Sequence, residues 1–249
     1  MTFTPIASSS KGNAYLLTAE SGETLLVDDG LSYRELVKRL GGEAVLERLV
    51  GVLVTHNHTD HVHGLPGLLK HHDVPVFANL MTAEATAAQE KLDESAFTCF
   101  ENGQEFEAGP FTVRAFAIPH DTSDPVGYLV KADGMTYFHG TDIGKGMMSI
   151  GLKLAEADEA TLESNHDMVM LTTSGRAPSL IQRIRGGRGH LSNDEAAELV
   201  KKYASPKLKR LNLAHLSQDC NAPHLAERTM RAALAAIGRN DVELEILNP

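Results

Sequence analysis

Cysteine is nearly absent from this chain: Cys99 and Cys220 are the two in 249 residues, and they lie far apart. A disulfide framework is therefore not expected, and both residues read as reduced thiols of a cytoplasmic protein. No apolar run approaches the ~20 residues of a membrane span. The start, Met1-Thr2-Phe3-Thr4-Pro5, has no basic region leading into an apolar core, so no secretory signal is expected. Basic residues are outnumbered, 23 Lys and Arg against 33 Asp and Glu, and the formal net charge is −10. That balance argues against a generic nucleic-acid coat protein and leaves room for an enzyme with a local basic groove. No repeat, low-complexity tract or Pro/Gly-rich linker divides the chain. Residues 1–249 thus read as a single domain of a size common among α/β folds.

What is present is a layered alternation. Short β-rich runs at 14–18, 24–27, 52–54, 74–78, 111–118, 127–131 and 135–138 predict strands. Helices are expected at 33–40, 65–71 and 82–91. In the second half, 168–171, 211–214 and 242–247 predict strands. Helices are expected at 193–203, with Ser192 as cap and Glu195 three residues on, and at 223–237. The periodicity yields an α/β, layered class.

The segment Thr55-His56-Asn57-His58-Thr59-Asp60-His61 places three imidazoles and a carboxylate within six residues, directly after the apolar run Val52-Leu53-Val54. Packing does not ask for such a cluster, whereas a metal-dependent hydrolase does. His56 and His58 alternate along an extended segment and can point the same way. Asp60 and His61 follow in the turn. With no cysteine nearby, ligation rests on His and carboxylate. Two ligand pairs suit two metals better than one, and further donors are needed. Strand ends supply candidates in His120, Asp142 and His215, of which a carboxylate such as Asp142 can bridge two cations. His63, His71 and His72 read as surface residues, and His139 stays ambiguous.

These residues resemble the metallo-β-lactamase fold superfamily, whose signature Thr-His-x-His-x-Asp-His is matched in full by Thr55–His61. The strand ending in Asp28-Asp29-Gly30 resembles its early Asp-x-Gly element. Further segments are similar to the YycJ/WalJ-type subfamily: Ser8-Ser9-Ser10-Lys11-Gly12-Asn13, Pro119-His120-Asp121, Thr141-Asp142-Ile143-Gly144, Glu163-Ser164-Asn165-His166-Asp167, Gly189-His190-Leu191-Ser192-Asn193 and Leu213-Ala214-His215-Leu216-Ser217. The resemblance implies an αββα sandwich of two packed sheets flanked by helices. It also implies a hydrolase of nucleic-acid phosphodiesters, with 5′-to-3′ exonuclease action on duplex DNA. Three positions depart from the pattern: His139, Asp29, and Arg176-Ala177 where an aromatic is common.

The expected centre holds two divalent ions, zinc, manganese or iron(II). His56, His58 and His120 are assigned to one ion, and Asp60, His61 and His215 to the other. Asp142 bridges them, and a hydroxide between the metals is the nucleophile. Asp28 is expected to orient a ligand imidazole. His190 and His166 are candidates for hydrogen-bonding or protonating the scissile group, or else for capping their loops. From Arg176 to Arg210 nine Lys and Arg face Asp194, Glu195 and Glu198. Within that stretch Arg183, Arg185 and Arg188, with their glycines, read as a flexible basic loop able to bind phosphate, or as a solvated face. Two other functions share the same ligands: a thioester or ester hydrolase of the glyoxalase-II type, and a metal-binding scaffold without turnover.

Overall fold

A computed structural model describes residues 1–247. The chain divides into two compact units. The first comprises Met1–Phe116 with Thr122–Val126 and Val130–Gly134; the second comprises Ala117–Asp121, Gly127–Leu129 and the chain from Met135 onward.

In the first unit, β1 (Thr2–Ser9) and β2 (Gly12–Thr18) form a hairpin, and β3 (Thr24–Val27) continues it antiparallel to β2. Helix α1 (Tyr33–Leu40) follows because Ser32 accepts the Glu35 amide and Gly41, at φ 74°, ends it in the left-handed region. Next come β4 (Leu49–Leu53), α2 (Thr59–Val62), α3 (Leu65–His71), β5 (Val76–Asn79), α4 (Leu80–Glu90) and β6 (Phe97–Phe100). The sheet order is β1-β2-β3-β4-β5-β6, with β3 to β6 parallel. Leu16, Leu26, Leu36, Val52, Val54, Leu65, Leu68 and Val76 pack together as its core. Burying each such side chain stabilises the fold by about 1.5–3 kcal/mol.

The second sheet runs β13-β12-β11-β10-β9-β8-β7. Its strands are β7 (Glu105–Ala108), β8 (Phe111–Ala117), β9 (Val126–Ala132), β10 (Met135–Gly140), β11 (Glu159–Glu163), β12 (Arg210–Ala214) and β13 (Glu243–Ile246). β10 to β13 are parallel. The helices of the second unit are α5 (Met148–Leu154), α6 (Met168–Thr173), α7 (Pro178–Arg185), α8 (Asn193–Tyr203) and α9 (Pro223–Ala236). Helix α8 starts in a reciprocal capping box between Ser192 and Glu195 and buries Ala196, Ala197, Leu199 and Val200. Among the described residues no helix is long and apolar enough to cross a membrane.

Two expectations fail. Residues 168–171 are not a strand but the start of α6, because the Asp167 carboxylate accepts the amides of Val169 and Met170 and nucleates a helix. Arg183 and Arg185 are not in a loop: they occupy the last turn of α7, and the turn begins at Gly186.

Candidate active site

Parallel strands deliver their side chains at their carboxyl ends, where the chain must turn. Here several turns use strained backbone. Asp28 (φ 59°), Asp142 (φ 56°) and His215 (φ 56°) lie in the left-handed region, just beyond β3, β10 and β12. Non-glycine residues tolerate that conformation where the surroundings over-determine it, as at functional sites.

In the first unit the cluster follows β4. The His56 ring lies 4.8 Å from His58 and 4.1 Å from His61, centroid to centroid. Asp28 is fully buried and its Oδ2 lies 2.8 Å from His61 Nδ1. The same carboxylate accepts the Thr55 amide at 2.8 Å and the Thr55 hydroxyl, so that hydroxyl's oxygen receives His56 Nδ1 at 3.0 Å. Both rings thereby carry their proton on Nδ1 and present the Nε2 lone pair, the state in which imidazole binds a cation. Gly30 is required here: a Cβ would sit 1.7 Å from the Asp60 carbonyl oxygen. Asn13, a residue given no role from sequence, donates its amide to Asp60 Oδ2 at 3.2 Å and lies 3.1 Å from His61 Nε2. Its signal was its place in the Ser8–Asn13 motif. Burial pushes the Asp29 carboxyl up to about 7, against the Leu31 amide and with the charge of Asp28.

In the second unit the organising residue is Glu163, at the end of β11. Its Oε1 accepts Nδ1 of both His190 and His215 at 2.9 Å, and its Oε2 accepts the amides of Ile143 at 2.8 Å and Leu191 at 2.9 Å. Burial opposes its ionisation, but the charge and hydrogen bonds of the histidines hold its pKa below the usual carboxylate range. His190 goes the other way: burial, the largest single influence, lowers its pKa, but the charge and hydrogen bond of Glu163 with the charge of Asp142 together raise it. Asp142, Glu163, His190 and His215 each offer a ligand atom within 4.8 Å of the others. His120 Nδ1 is held by the Gly189 carbonyl at 3.0 Å, and its Nε2 is 3.5 Å from Asp142 Oδ1. Gly144 and Gly189 permit these approaches, since a Cβ would meet the Arg188 backbone at 2.4 Å and the Ile184 carbonyl at 2.1 Å.

The Asn165, Asn193 and Asn221 amides knit this region. Asn165 donates to the His215 carbonyl, Ser164 to Asn193, and Asn193 and Asn221 pair reciprocally. His166 is 1 % exposed and neither ring nitrogen has a hydrogen-bond partner among the described residues; burial lowers its pKa. His139 is fully buried, with Nδ1 3.2 Å from the Tyr137 hydroxyl, which donates to Thr161. Arg183 is paired with Asp121 at 2.6 Å, and Arg185 and Arg188 are exposed. The donor chemistry of both clusters, imidazoles backed by acceptors and carboxylates beside them, fits a divalent cation.

Comparison with known proteins agrees with this chemistry. Residues 23–215 match the family model of the beta-lactamase superfamily domain. The chain is 33 % identical over 234 residues to exodeoxyribonuclease WalJ of Streptococcus pneumoniae serotype 2, covering 92 % of this chain and 87 % of that protein. It is 33 % identical over 244 residues to exodeoxyribonuclease YycJ of Bacillus anthracis, covering 95 % and 90 %. Among solved structures, the metallo-β-lactamase fold protein YhfI from Bacillus subtilis superposes with a TM-score of 0.73 at 19 % identity, over 99 % of this chain and 95 % of that one. The expected fold class stands, and the chain belongs to the beta-lactamase superfamily, in the subfamily that contains WalJ and YycJ.

Proposed function

We propose that this protein is a dinuclear metal-dependent phosphodiesterase of the cytoplasm that degrades duplex DNA from the 5′ end. The observation that carries the reading is the set of acceptors behind the imidazoles: Thr55 on His56, Asp28 on His61, Gly189 on His120 and Glu163 on His215. Such backing is what a metal-binding histidine needs. The names of relatives alike over most of the chain supply the substrate class.

In this reading the two units act as one hydrolase domain. The residues that would hold the two ions are His56, His58, Asp60, His61, His120, Asp142 and His215. Zinc, manganese and iron(II) all suit the donors. When bound, such ions lower the pKa of water from 15.7 to about 7, roughly 12 kcal/mol in favour of hydroxide, and offset phosphate charge. Asn13 keeps the Asp60 carboxylate turned toward His61. Glu163 holds the His190 ring by its Nδ1 and raises its pKa, which favours His190 as the group that donates a proton to the departing alkoxide oxygen. His166, as buried as His56, is the second candidate to hydrogen-bond or protonate the scissile group. Arg183, Arg185 and Arg188 offer guanidinium groups to the backbone phosphates.

The test is purified, metal-loaded protein assayed on end-labelled duplex DNA, single-stranded DNA, RNA and a glutathione thioester. Release of mononucleotides from the 5′ end of duplex DNA is expected. Turnover of the thioester with no phosphodiester cleavage would replace this reading by the glyoxalase-II type.

A further inference from the structure

Residues 172–188 contain no buried side chain, although they lie between two well-packed segments. Helix α7 sits within this stretch and buries none of its residues. Two ion pairs tie the strap to the second unit: Arg176 to Asp219 at 2.9 Å, and Arg183 to Asp121 at 2.6 Å. At its end Gly189 is buried and its carbonyl fixes His120 Nδ1 at 3.0 Å. The strap therefore engages two consecutive residues, His120 through Gly189 and Asp121 through Arg183.

Asp121 is placed unusually. One carboxylate oxygen, Oδ2, takes both Nε and a terminal nitrogen of Arg183 at 2.6 Å. The other, Oδ1, lies 3.5 Å from Nε2 of His120, the nitrogen left to a cation once Gly189 has taken Nδ1. An anion thus already bridges the arginine and the metal-facing edge of the ligand histidine. The pair is cheap to exchange. Arg183 is 62 % and Asp121 26 % exposed, and exposed ion pairs contribute only about 0–1 kcal/mol. A phosphate presents two or more oxygens to the guanidinium fork, which suits it better than a single carboxylate oxygen does.

We propose that Asp121 is a placeholder for substrate phosphate. Without substrate it holds Arg183 beside His120, and a phosphate group of the substrate displaces it from the guanidinium. Asp121 then sets how much phosphate-bearing ligand is needed to engage the strap, and Arg183 is a binding residue with a built-in competitor. The proposal rests on the reading of the site as one that takes phosphate. It concerns binding and needs no bond to break.

The test is a double-mutant cycle on the metal-loaded protein with Asp121→Asn, Arg183→Ala and the double variant, reading the Kd of inorganic phosphate by calorimetry. Trypsin cleavage within the strap is followed in parallel. Asp121→Asn is expected to bind phosphate about 3- to 5-fold more tightly and to be cut faster in the strap, with added phosphate restoring protection. Arg183→Ala is expected to weaken binding about 5-fold. The double variant is expected to match Arg183→Ala, because without the arginine there is no partner to compete for. Arg183→Lys, which keeps charge and loses the fork, should fall between. If Asp121→Asn binds phosphate equally or more weakly while its strap is cut faster, Asp121 is a tether and the proposal fails. A gain that survives removal of Arg183 also overturns it. Absence of phosphodiester cleavage by the wild-type protein would defeat the nuclease reading separately, since the cycle reads phosphate binding alone.

Discussion

Glu163 joins two histidines and two backbone amides through a single buried carboxylate. Its position at the end of β11 lines it up with residues just past β10 and β12, so one side chain couples Asp142's turn, His190 and His215. Glu163→Gln keeps the shape and removes the charge. Metal content and kcat are expected to fall about 10- to 100-fold, the usual cost of losing a partner behind a ligand histidine, as read by elemental analysis and steady-state kinetics. Asp29 gives a pH signature. Its carboxyl is raised by burial from 3.8 to about 7, so between these values the unfolded chain ionises while the folded protein keeps the proton. Stability from this group is therefore full below pH 3.8, declines as pH rises and levels off above about 7; the gap corresponds to about 4 kcal/mol at most. Asp29→Asn should flatten this decline, and urea unfolding of both proteins at pH 4.5 and pH 7.5 measures it. A difference that does not grow with pH would contradict it.

At the scale of elements, helices 33–40 and 193–203 were legible because apolar periodicity and side-chain caps agree there, and the short runs 24–27 and 211–214 were legible as strands because no capping residue directly precedes them. The short apolar run at 168–171 was not, since four residues carry no period and Asp167 decides the matter from outside the run. Strand β11 was missed for the opposite reason: Glu159 and Glu163 at its ends look solvated, yet both are buried. The histidine cluster and the strand-end candidates stood out because His and Asp are rare residue types to find together at strand ends, and the structure brings Asp142 and His215 close to each other there. Asn13 and Glu163 did not, because their roles arise from contacts across 48 and 52 residues of sequence. The turn after α7 makes a further prediction. Gly189→Ala would put a methyl 2.1 Å from the Ile184 carbonyl and shift the group that fixes His120. A destabilisation of about 1–3 kcal/mol is expected, together with a lower affinity for metal. Unchanged urea midpoint and metal affinity would show that His120 does not depend on this turn. In α7, Arg185→Ala should lower the slope of log affinity for duplex DNA against log salt by about one, as read by titrations at several ionic strengths. An unchanged slope would remove Arg185 from the phosphate contacts.

For the whole molecule, the net charge of −10 means that the proposed DNA substrate would have to be met by a local basic surface. The strap and its arginines are where the chain supplies positive charge near a donor cluster, and duplex binding should be steeply salt-dependent. In the proposed reading metal is indispensable, because the bound ions would supply hydroxide at neutral pH. The claim on which the rest depends is that Asp142 is shared by two ions. Metal stoichiometry of the wild-type protein and Asp142→Ala, each measured by elemental analysis alongside digestion of 5′-phosphorylated duplex DNA, tests it most directly. About two equivalents and 5′-end digestion are expected for the wild type, with metal and cleavage both lost in the folded variant. A single equivalent in the wild type, or normal cleavage by Asp142→Ala, would contradict the dinuclear centre.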